Sequence, residues 1–375
     1  MPTRIPRRWI IASVLSVLVL GVAGRSVAGE SQRLAIGYYA AAAEFPVSQL
    51  PWQHFTHLCH AFLVTDENGK PITGERVPSK ELTDAAHKNN VKVLLSLGGG
   101  KTALGLAKVT ASRKALVEYV QAVTSIVAKN GYDGVDIDWE FPRDRAGRTG
   151  FVALVAVLRG SLDRLAASQK REDPYLLTAA VSYAGFFGKW IDTGAVMGRL
   201  DWLHVMTYDM AGPWSQSAGH HAPLLPSPKD PERASRSVAA AMQYWHKDRG
   251  VPKEKLVVGV PLYARAFPVR ERYAPLSPDD RKKHGTLSFS QVRQLVGRDW
   301  LAEWDDQSRA PWLSPPDEKP LIIAYDDRNS VDQKAKWAKE QGYRGLFYWA
   351  VHHDRMNDGT HWLLRAADKA WPLRE

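Results

Sequence analysis

Short runs rich in apolar and β-branched residues alternate with amphipathic segments along most of the chain. Eight such runs cover residues 34–39, 56–62, 91–97, 134–139, 176–182, 202–208, 256–262 and 345–349. Segments with apolar residues at spacings of three and four lie between most of them, for example residues 111–130, 150–169 and 234–249. Alternating strand and helix patterns indicate a parallel sheet, so eight units predict a (β/α)8 TIM barrel of the α/β class.

The regular spacing is interrupted once, between the seventh and the eighth run. More than eighty residues separate these two runs, and residues 266–320 are polar, rich in proline and without the pattern of a single helix. We therefore expect a short insertion between strands 7 and 8 of the barrel. A long surface loop that Trp300, Trp304 and Trp312 anchor to the barrel is the alternative.

Length and composition agree with one large domain. The 375 residues are 45% hydrophobic, with 14 Trp, 13 Tyr and 10 Phe, which is enough to fill the core of a single barrel. The one cysteine, Cys59, excludes an intramolecular disulfide. Because Cys59 lies in an apolar run, we expect a buried and inert thiol.

The first 28 residues have the pattern of a signal peptide. Arg4, Arg7 and Arg8 precede the apolar stretch 9–23, and small residues precede a cleavage site after Ala28. We therefore expect export to the periplasm or outside the cell, with a mature chain of residues 29–375. An uncleaved anchor is the competing interpretation, but the stretch is short for a bilayer span of about 20 residues. The paired arginines leave the twin-arginine route open beside the general secretory route.

Much of the positive charge belongs to this leader. The formal net charge of +10 becomes +6 when the four arginines of residues 1–28 are removed. The remaining charge would favour an anionic surface such as a bacterial envelope. No basic run interleaved with aromatic residues points to nucleic acid, so we expect no nucleic-acid partner. Because the apolar stretch 9–23 is removed with the leader, we also expect no stable membrane span after cleavage.

The most informative stretch is the acidic sequence Asp133-Gly134-Val135-Asp136-Ile137-Asp138-Trp139-Glu140. A period of two places Asp136, Asp138 and Glu140 on one face of a strand. Like charges about 7 Å apart raise each other's pKa, so at least one carboxyl group would hold a proton near neutral pH, as a general acid must. An exposed amphipathic strand or a cation site is the alternative. No histidine lies nearby to complete a transition-metal set, and we expect neither a metal nor a cofactor.

Five motifs, in order along the chain, give it a resemblance to glycoside hydrolase family 18, the chitinase family. Asp133, Asp136, Asp138 and Glu140 fill the fixed positions of the D-x-x-D-x-D-x-E motif that ends the fourth barrel strand of that family. The other motifs are Ser96-Leu97-Gly98-Gly99, Met206-Thr207-Tyr208-Asp209 with Gly212-Pro213-Trp214 after it, Pro261-Leu262-Tyr263-Ala264-Arg265, and Tyr348-Trp349. The resemblance runs from residue 34 to the C-terminus and is closest to secreted chitinases of bacterial type.

The resemblance implies retaining, substrate-assisted hydrolysis of β-1,4-linked N-acetylglucosamine polymers or oligomers. Glu140 would protonate the glycosidic oxygen and later activate water, while the substrate's own 2-acetamido oxygen attacks the anomeric carbon to give an oxazolinium ion. Asp138 would hydrogen-bond the acetamido N–H and offset the developing charge, with Asp136 sharing a proton behind it. Tyr208 would hold the acetamido oxygen in line for attack.

The resemblance also implies a set of substrate-binding residues. The set comprises Trp349, Asp209, Tyr263, Arg265, Met206, Tyr38, Phe62 and Trp214. Trp349 would form the aromatic floor under the cleaved sugar, and Trp214 would stack a sugar on the leaving-group side. Ordinary core packing is the alternative for Trp349 and Tyr263, and a solvated charge is the alternative for Arg265.

The resemblance gives three further expectations. Chitinases often carry an aromatic residue after the second motif, where Gly100 and Lys101 stand here, so strong stacking on that side and processivity lack support. Asp133 and Ser96 are expected to support the fold and the proton network. The insertion after strand 7 can wall the groove in the family, and we expect a reduced wall here.

Other functions remain open at this point. A sugar-binding protein on the same barrel would have lost the acid, whereas Glu140 and Asp138 are both present. A hydrolase of another N-acetylglucosamine glycan, such as peptidoglycan or the N-glycan core, would keep the same catalytic set. An envelope-binding protein would use the groove only for docking. We expect a monomer whose partner is a polysaccharide or oligosaccharide containing N-acetylglucosamine.

Overall fold

The computed structural model of the protein describes residues 33–100, 103–232, 236–317 and 319–373. The predicted signal peptide, residues 1–28, lies outside these ranges. The described strands are β1 Leu34–Ala40, β2 His57–Thr65, β3 Pro71–Ile72, β4 Lys92–Gly98, β5 Gly134–Asp138, β6 Leu176–Ser182, β7 Leu203–Met206, β8 Leu256–Pro261, β9 Tyr263–Phe267, β10 Gly285–Ser288, β11 Leu301–Asp305, β12 Ala310–Ser314, β13 Ile322–Ala324 and β14 Gly345–Trp349. The described α-helices are α1 Lys80–Lys88, α2 Ala103–Thr110, α3 Arg113–Asn130, α4 Arg145–Ser168, α5 Gly185–Gly188, α6 Thr193–Val196, α7 Val238–Gln243, α8 Pro278–Lys282, α9 Phe289–Leu295, α10 Arg328–Glu340 and α11 Trp362–Ala370.

Eight parallel strands close into a barrel. Each strand pairs with the next in the order β1-β2-β4-β5-β6-β7-β8-β14, and β14 pairs with β1 to complete the ring. These strands are the eight runs that the sequence predicts, with bounds that differ by at most three residues. The α/β class and the (β/α)8 barrel are therefore confirmed.

The alternation of side chains along each strand separates two layers of the core. On β5, Val135 and Ile137 lie in the large apolar cluster between the strands and the helices. Asp136 and Asp138 face the barrel interior, where the apolar cluster contains Tyr38 and other inward residues. Trp139 follows the outer pattern and packs on the ring of Phe151 in α4, with ring centroids 6.4 Å apart.

The helices on either side of β5 begin at capped positions. Ser112 Oγ accepts the N–H of Ala115 at 3.1 Å before α3, and the Asp144 carboxylate accepts that of Gly147 at 2.7 Å before α4. Helix α3 ends at Asn130, and the next residue, Gly131, has a φ of 73°, a left-handed conformation that glycine adopts without strain. The chain turns there and enters β5 three residues later.

The predicted helices match the structure to different degrees. Segments 111–130 and 150–169 correspond to α3 and α4, although α4 begins earlier, at Arg145. Segment 234–249 is covered by the short helix α7 and by a π-helical turn over Tyr244–Asp248, while residues 233–235 lie outside the described ranges.

The insertion between β8 and β14 is a folded layer. Strands β9 to β13 form a five-stranded antiparallel sheet in the order β10-β9-β13-β12-β11, with α8 and α9 beside it. The sheet runs from Tyr263 to Ala324 and so extends past both ends of the predicted segment 266–320. Trp312 is fully buried in the apolar cluster of this layer, whereas Trp304 on β11 is partly exposed. The expected insertion between strands 7 and 8 of the barrel is therefore present. It forms an antiparallel sheet and not the long surface loop that was the alternative.

Asp133 lies at the end of β5 away from Glu140. Its carboxylate accepts the N–H of Val93 at 2.9 Å and lies 2.8 Å from His87 Nε2, so it ties β5 to β4 and α1. Asp133 thus supports the fold.

Across the described ranges, no helix is both long enough and apolar enough to cross a membrane.

Candidate active site

A groove of about 770 Å³ opens at the carboxyl ends of the barrel strands. Eleven of the twelve side chains that the sequence singles out as site residues line it: Asp138, Glu140, Tyr208, Trp349, Asp209, Tyr263, Arg265, Met206, Tyr38, Phe62 and Trp214. The twelfth, Asp136, lies beneath the groove and is completely buried. The fold therefore brings together residues from distant motifs, as expected for side chains that follow parallel barrel strands.

The end of β4 fits closely against the ends of the neighbouring strands. Gly98 has a φ of 117°, and a Cβ atom there would lie 2.2 Å from the carbonyl oxygen of Asp138. A Cβ atom on Gly99 would lie 2.6 Å from the ring of Phe62. The two glycines of the Ser-x-Gly-Gly motif therefore allow β4 to approach Asp138 and Phe62 at the groove floor.

Asp136 is held by donors from four other strands. Tyr38 donates its O–H to Oδ2 at 2.9 Å, and Ser96 donates to the same oxygen at 2.8 Å. Thr178 donates to Oδ1 at 2.7 Å, and His204 Nδ1 lies 3.2 Å from that oxygen.

Burial alone would raise the pKa of Asp136. The contacts with His204, Thr178 and Ser96 outweigh burial and hold the pKa of this carboxyl below its ordinary value. Asp136 is therefore ionised at neutral pH.

The orientation of His204 is fixed from behind by Trp202. Trp202 donates its indole N–H to Nε2 of His204 at 2.7 Å, so the ring proton of the neutral imidazole lies on Nδ1. Nδ1 then faces Tyr38 Oη at 3.0 Å and the carboxylate of Asp136. A hydrogen-bonded chain thus runs from Trp202 to the buried acid.

Asp138 is in a different environment although it is only two residues further along β5. Its Oδ1 is buried without a hydrogen-bond partner among the described residues. Burial raises the pKa of this carboxyl well above its ordinary value, and the charges of Glu140 and Asp136 add to the shift. No hydrogen bond joins it to Asp136 in the described structure, so the proton expected to be shared between the two carboxyls belongs to Asp138 in this arrangement.

Glu140 follows directly after β5 and lines the groove. Burial raises its pKa to about 7, and the nearby charge of Asp209 contributes. A carboxyl group with this pKa is protonated over the acidic side of neutrality and can lose its proton within the working range of an enzyme. Glu140 therefore has the ionisation that general acid and base chemistry requires.

A second polar cluster lies on the strand β7 side of the groove. Asp209 adopts a left-handed φ of 59°, a conformation that aspartate tolerates better than most residues. Its Oδ1 accepts the O–H of Tyr263 at 2.5 Å and the Nε–H of Arg265 at 2.8 Å.

Burial raises the pKa of Tyr208 well above its ordinary value, so its phenol keeps the proton and can donate to a ligand.

Aromatic rings form the floor and one side of the groove. The ring of Trp349 lies 5.6 Å from that of Phe62, nearly parallel at 21°, and 5.5 Å from that of Tyr38. Trp214 stands at the edge with 53% of its surface exposed, and the guanidinium of Arg265 lies 5.4 Å from its ring centroid. These rings offer flat apolar faces beside the acids, as a site for sugar rings requires.

Some residues at the site carry no signal in the sequence. Thr178, His204 and Trp202 hold Asp136 but belong to no motif, and only their inward position on the predicted strands could have indicated them. Phe187 and Tyr183 line the groove after β6, where no motif marks the chain.

The alternative of a cation site finds one cluster to test. Among the described residues, Cys59, Asp136 and His204 place ligand-type atoms within 4.8 Å of one another. The lone pair of His204 Nε2 is taken by Trp202, and both oxygens of Asp136 accept hydrogen bonds from protein donors. Burial also raises the pKa of the Cys59 thiol well above its ordinary value. The cluster is therefore a hydrogen-bonded support of the acidic strand, and its donor set does not suit a metal.

Comparison with known proteins agrees with this geometry. The family model described as glycosyl hydrolases family 18 matches residues 35–354. A class V chitinase of Arabidopsis thaliana is 31% identical over 351 residues, which cover 89% of this chain and 88% of that protein.

Solved structures agree as well. A mutant class V chitinase of Nicotiana tobaccum in complex with NAG4 superposes with a TM-score of 0.80 at 25% identity, covering 91% of this chain and 99% of the other. A family 18 N-acetylglucosaminidase from Paenibacillus barengoltzii superposes with a TM-score of 0.79 at 26% identity, covering 90% of this chain and 99% of the other. The chain therefore belongs to glycosyl hydrolase family 18, the family of the chitinases, and it is a glycoside hydrolase.

Proposed function

We propose that the protein hydrolyses β-1,4-linked N-acetylglucosamine polymers or oligomers, with retention and with assistance from the substrate's own acetamido group. The observation that carries this proposal is the pair Asp138 and Glu140, whose pKa values are both raised, beside the intact phenol of Tyr208. Oδ1 of Asp138 is buried without a partner among the described residues and thus offers a hydrogen-bond acceptor to a ligand in the groove.

In the proposed reaction Glu140 protonates the glycosidic oxygen as the acetamido oxygen attacks the anomeric carbon. Asp138 passes its proton to the ionised carboxylate of Asp136 beneath it and accepts a hydrogen bond from the N–H of the acetamido group. The negative charge that Asp138 then carries stabilises the oxazolinium ion. Tyr208 donates to the acetamido oxygen and holds it in line. Glu140, now ionised, takes a proton from the water that opens the ring. Trp349 supports the sugar that is cleaved, by stacking under its ring.

A direct test compares chitohexaose with the fully deacetylated glucosamine hexamer. The acetylated oligomer is expected to be cleaved with the β-anomer as the first product, seen by proton NMR before mutarotation. The deacetylated oligomer lacks the internal nucleophile and is expected to resist. Equal rates on both oligomers, or an α-anomer as first product, would refute the acetamido-assisted route.

A second candidate is the hydrolysis of another N-acetylglucosamine glycan by the same residues. The solved N-acetylglucosaminidase of family 18 supports this candidate, because it shares the fold over 90% of this chain. Product analysis on chito-oligosaccharides beside peptidoglycan fragments separates the two candidates: faster cleavage of the chito-oligosaccharides supports the first, and faster cleavage of the peptidoglycan fragments supports the second.

The proposal includes export of the protein, with cleavage after Ala28. The support comes from the basic residues and the apolar stretch of the leader alone. N-terminal sequencing of the protein recovered from its native host is expected to begin at Gly29, and a chain that begins at Met1 would contradict export by this leader.

A further inference from the structure

Two aromatic side chains of the described chain are mostly exposed, and both stand beside the groove. Phe186 is 68% exposed and Trp214 is 53% exposed. The sequence motifs account for Trp214, but no motif includes Phe186. An exposed large ring that could have been buried suggests a binding surface when it adjoins a known site.

Phe186 is the outer end of a row of rings that begins at the catalytic strand. Phe141, next to Glu140, stacks on Phe187 with ring centroids 4.5 Å apart and an interplanar angle of 27°. Phe187 meets Phe186 edge to face at 5.0 Å. Phe141 and Phe187 both line the groove, so the row continues the groove outward over α5.

Two cations accompany this row. The guanidinium of Arg143 lies 5.6 Å from the ring centroid of Phe187, and the ammonium of Lys189 lies 5.1 Å from that of Phe186 and 5.3 Å from that of Trp190. Both side chains are exposed. We name the surface formed by Phe186, Phe187, Arg143 and Lys189 the basic shelf.

The charge of the basic shelf is not neutralised by the protein. Within the described ranges, neither Arg143 nor Lys189 lies within ion-pair distance of a carboxylate. The two acids nearest in sequence are engaged elsewhere: Asp144 caps α4, and Asp192 accepts a hydrogen bond from Arg148 at 2.9 Å.

The aromatic residue on the other side of the groove differs in this respect. Arg265 also lies over a ring, that of Trp214, but its guanidinium is 2.6 Å from the carboxylate of Asp209. The cation beside Trp214 is thus paired with a carboxylate, whereas the two cations beside Phe186 and Phe187 are not paired with any described carboxylate. A neutral sugar stacks on either ring without a neighbouring charge, so the unpaired cations indicate an additional, negatively charged group on the ligand.

The barrel order places the basic shelf on a defined side of the site. Strand β5, which leads to Phe141, is four strands away from β14 in either direction around the ring of eight, so it stands opposite Trp349. In the proposed function Trp349 lies under the cleaved sugar and Glu140 protonates the leaving group. The shelf beyond Glu140 is therefore reached by the leaving-group part of a glycan.

We propose that the basic shelf is a leaving-group subsite that selects N-acetylglucosamine glycans carrying a carboxylate. The inference rests on the proposed function for the position of the cleaved bond. Phe186 and Phe187 stack the sugar, and Arg143 and Lys189 pair with its carboxylate. A glycan whose sugars bear a carboxyalkyl ether meets this description, and an unmodified chitin chain does not.

The test compares two soluble polymers that differ in this charge. Carboxymethyl chitin and hydroxyethyl chitin carry similar substituents, and only the first is anionic. At low salt the wild type is expected to show a higher kcat/KM on carboxymethyl chitin. The double substitution Arg143→Gln with Lys189→Gln is expected to lower the ratio of the two kcat/KM values by about threefold to tenfold, the size of two exposed charge pairs. The preference of the wild type is expected to shrink between 0.02 M and 0.5 M salt.

Lys129→Gln is the matched control, because Lys129 is an exposed lysine near the end of α3 on the outside of the barrel. This variant is expected to leave the ratio unchanged, and melting temperatures check the fold of every variant. A ratio that is the same in the double variant and the wild type would overturn the proposal. An equal loss of kcat/KM on both polymers would also overturn it, because Arg143 and Lys189 would then affect the site through the local backbone structure and not through their charge.

Failure of the proposed function is recognised separately. If the wild type cleaves neither polymer, the proposed function is refuted, and binding of the two polymers to Glu140→Gln is then compared by affinity electrophoresis. Stronger retardation by carboxymethyl chitin that is lost on adding the two shelf substitutions still supports the shelf, and equal retardation refutes it.

Discussion

Asp136 and Asp138 stand two residues apart on one face of β5, and their surroundings shift their ionisation in opposite directions. Both are buried, with 0% and 3% of their surface exposed. Asp136 is contacted by four donors, from Tyr38, Ser96, Thr178 and His204, and its pKa is lowered. Asp138 has a buried oxygen to which no described residue donates, and its pKa is raised.

The difference shows that burial alone does not decide which carboxyl group holds a proton. Burial favours the neutral form of both groups, and only hydrogen bonds to the charged form reverse this. The inner layer of the barrel therefore supplies a fixed negative charge, while the groove layer supplies carboxyl groups that can gain and lose protons. The inner charge in turn raises the pKa of Asp138.

The largest effect is expected from Glu140→Gln, which removes the proton donor of the groove layer. Turnover of chito-oligosaccharides is expected to fall by about three powers of ten or more, because general acid catalysis and the later activation of water are both lost. Oligosaccharide binding, measured by calorimetry, is expected to persist. Turnover within about tenfold of the wild type would place the acid elsewhere.

The same variant tests the sign of the ionisation by its stability. A carboxyl group whose pKa is raised on folding, here to about 7, contributes stability at low pH that is lost as the pH rises from its ordinary value through 7. Glu140→Gln removes this loss. The melting temperature of the variant relative to the wild type is therefore expected to be higher at pH 8 than at pH 5, and the reverse order would contradict the raised pKa.

Asp138→Asn is expected to have the next largest effect, a loss of about a hundredfold in turnover, because it removes the group that would become the charged partner of the oxazolinium ion. In the proposed substrate complex Asp138 is ionised, so the substitution also removes a charge that repels the ionised form of Glu140 in that complex. The alkaline limb of the pH profile of kcat is therefore expected to move to lower pH. An unchanged profile would show that the two carboxyl groups are not coupled.

A smaller effect is expected from Thr178→Val in the inner layer. The substitution keeps the shape and removes one of the donors to Asp136, so the free energy of unfolding at pH 7 is expected to fall by about 1 to 3 kcal/mol. A carboxyl group with a lowered pKa contributes stability above its ordinary pKa that is lost as the pH falls. The stability deficit of the variant is therefore expected to be largest near pH 7 and to shrink as the pH falls below the ordinary pKa of aspartate, as followed by urea unfolding between pH 3 and 7.

Thr124→Val is a control for this experiment, because the hydroxyl of Thr124 donates only to backbone carbonyls within helix α3. Its stability is expected to change equally at every pH. If Thr178→Val behaved in the same way, the donor would have no part in the ionisation of Asp136.

The smallest effect is expected from a chelator. EDTA is expected to leave the turnover unchanged, because the oxygens of Asp136 and Nε2 of His204 are occupied by protein hydrogen bonds. Loss of activity with EDTA and recovery on adding a divalent ion would assign the acidic strand to metal binding.

The sequence predicted the barrel well because the strand pattern is local. Period-two alternation and apolar runs can be read within seven residues, and all eight barrel strands were found in this way. The antiparallel sheet of the insertion was not predicted. Its strands are three to five residues long, and those on its edges, such as Leu301–Asp305, are partly or fully exposed at every position, so buried and exposed residues do not alternate along them.

The groove residues were predicted through motifs, but the ionisation of Asp136 was not. The structure pairs Asp136 with Ser96 on one neighbouring strand and with Thr178 on the other. These partners depend on the register between strands, which a single sequence does not reveal. Repulsion along the strand predicted raised pKa values, whereas donors across the strands lower that of Asp136.

Neutron diffraction from a deuterated crystal at pD 6 tests the opposed ionisation of Asp136 and Asp138 most directly, because it locates the exchangeable protons themselves. We expect deuterium on the carboxyl groups of Asp138 and Glu140, and deuterium on the hydroxyls of Ser96 and Thr178 directed at the carboxylate of Asp136. Deuterium bound to an oxygen of Asp136, with Asp138 ionised, would contradict this expectation.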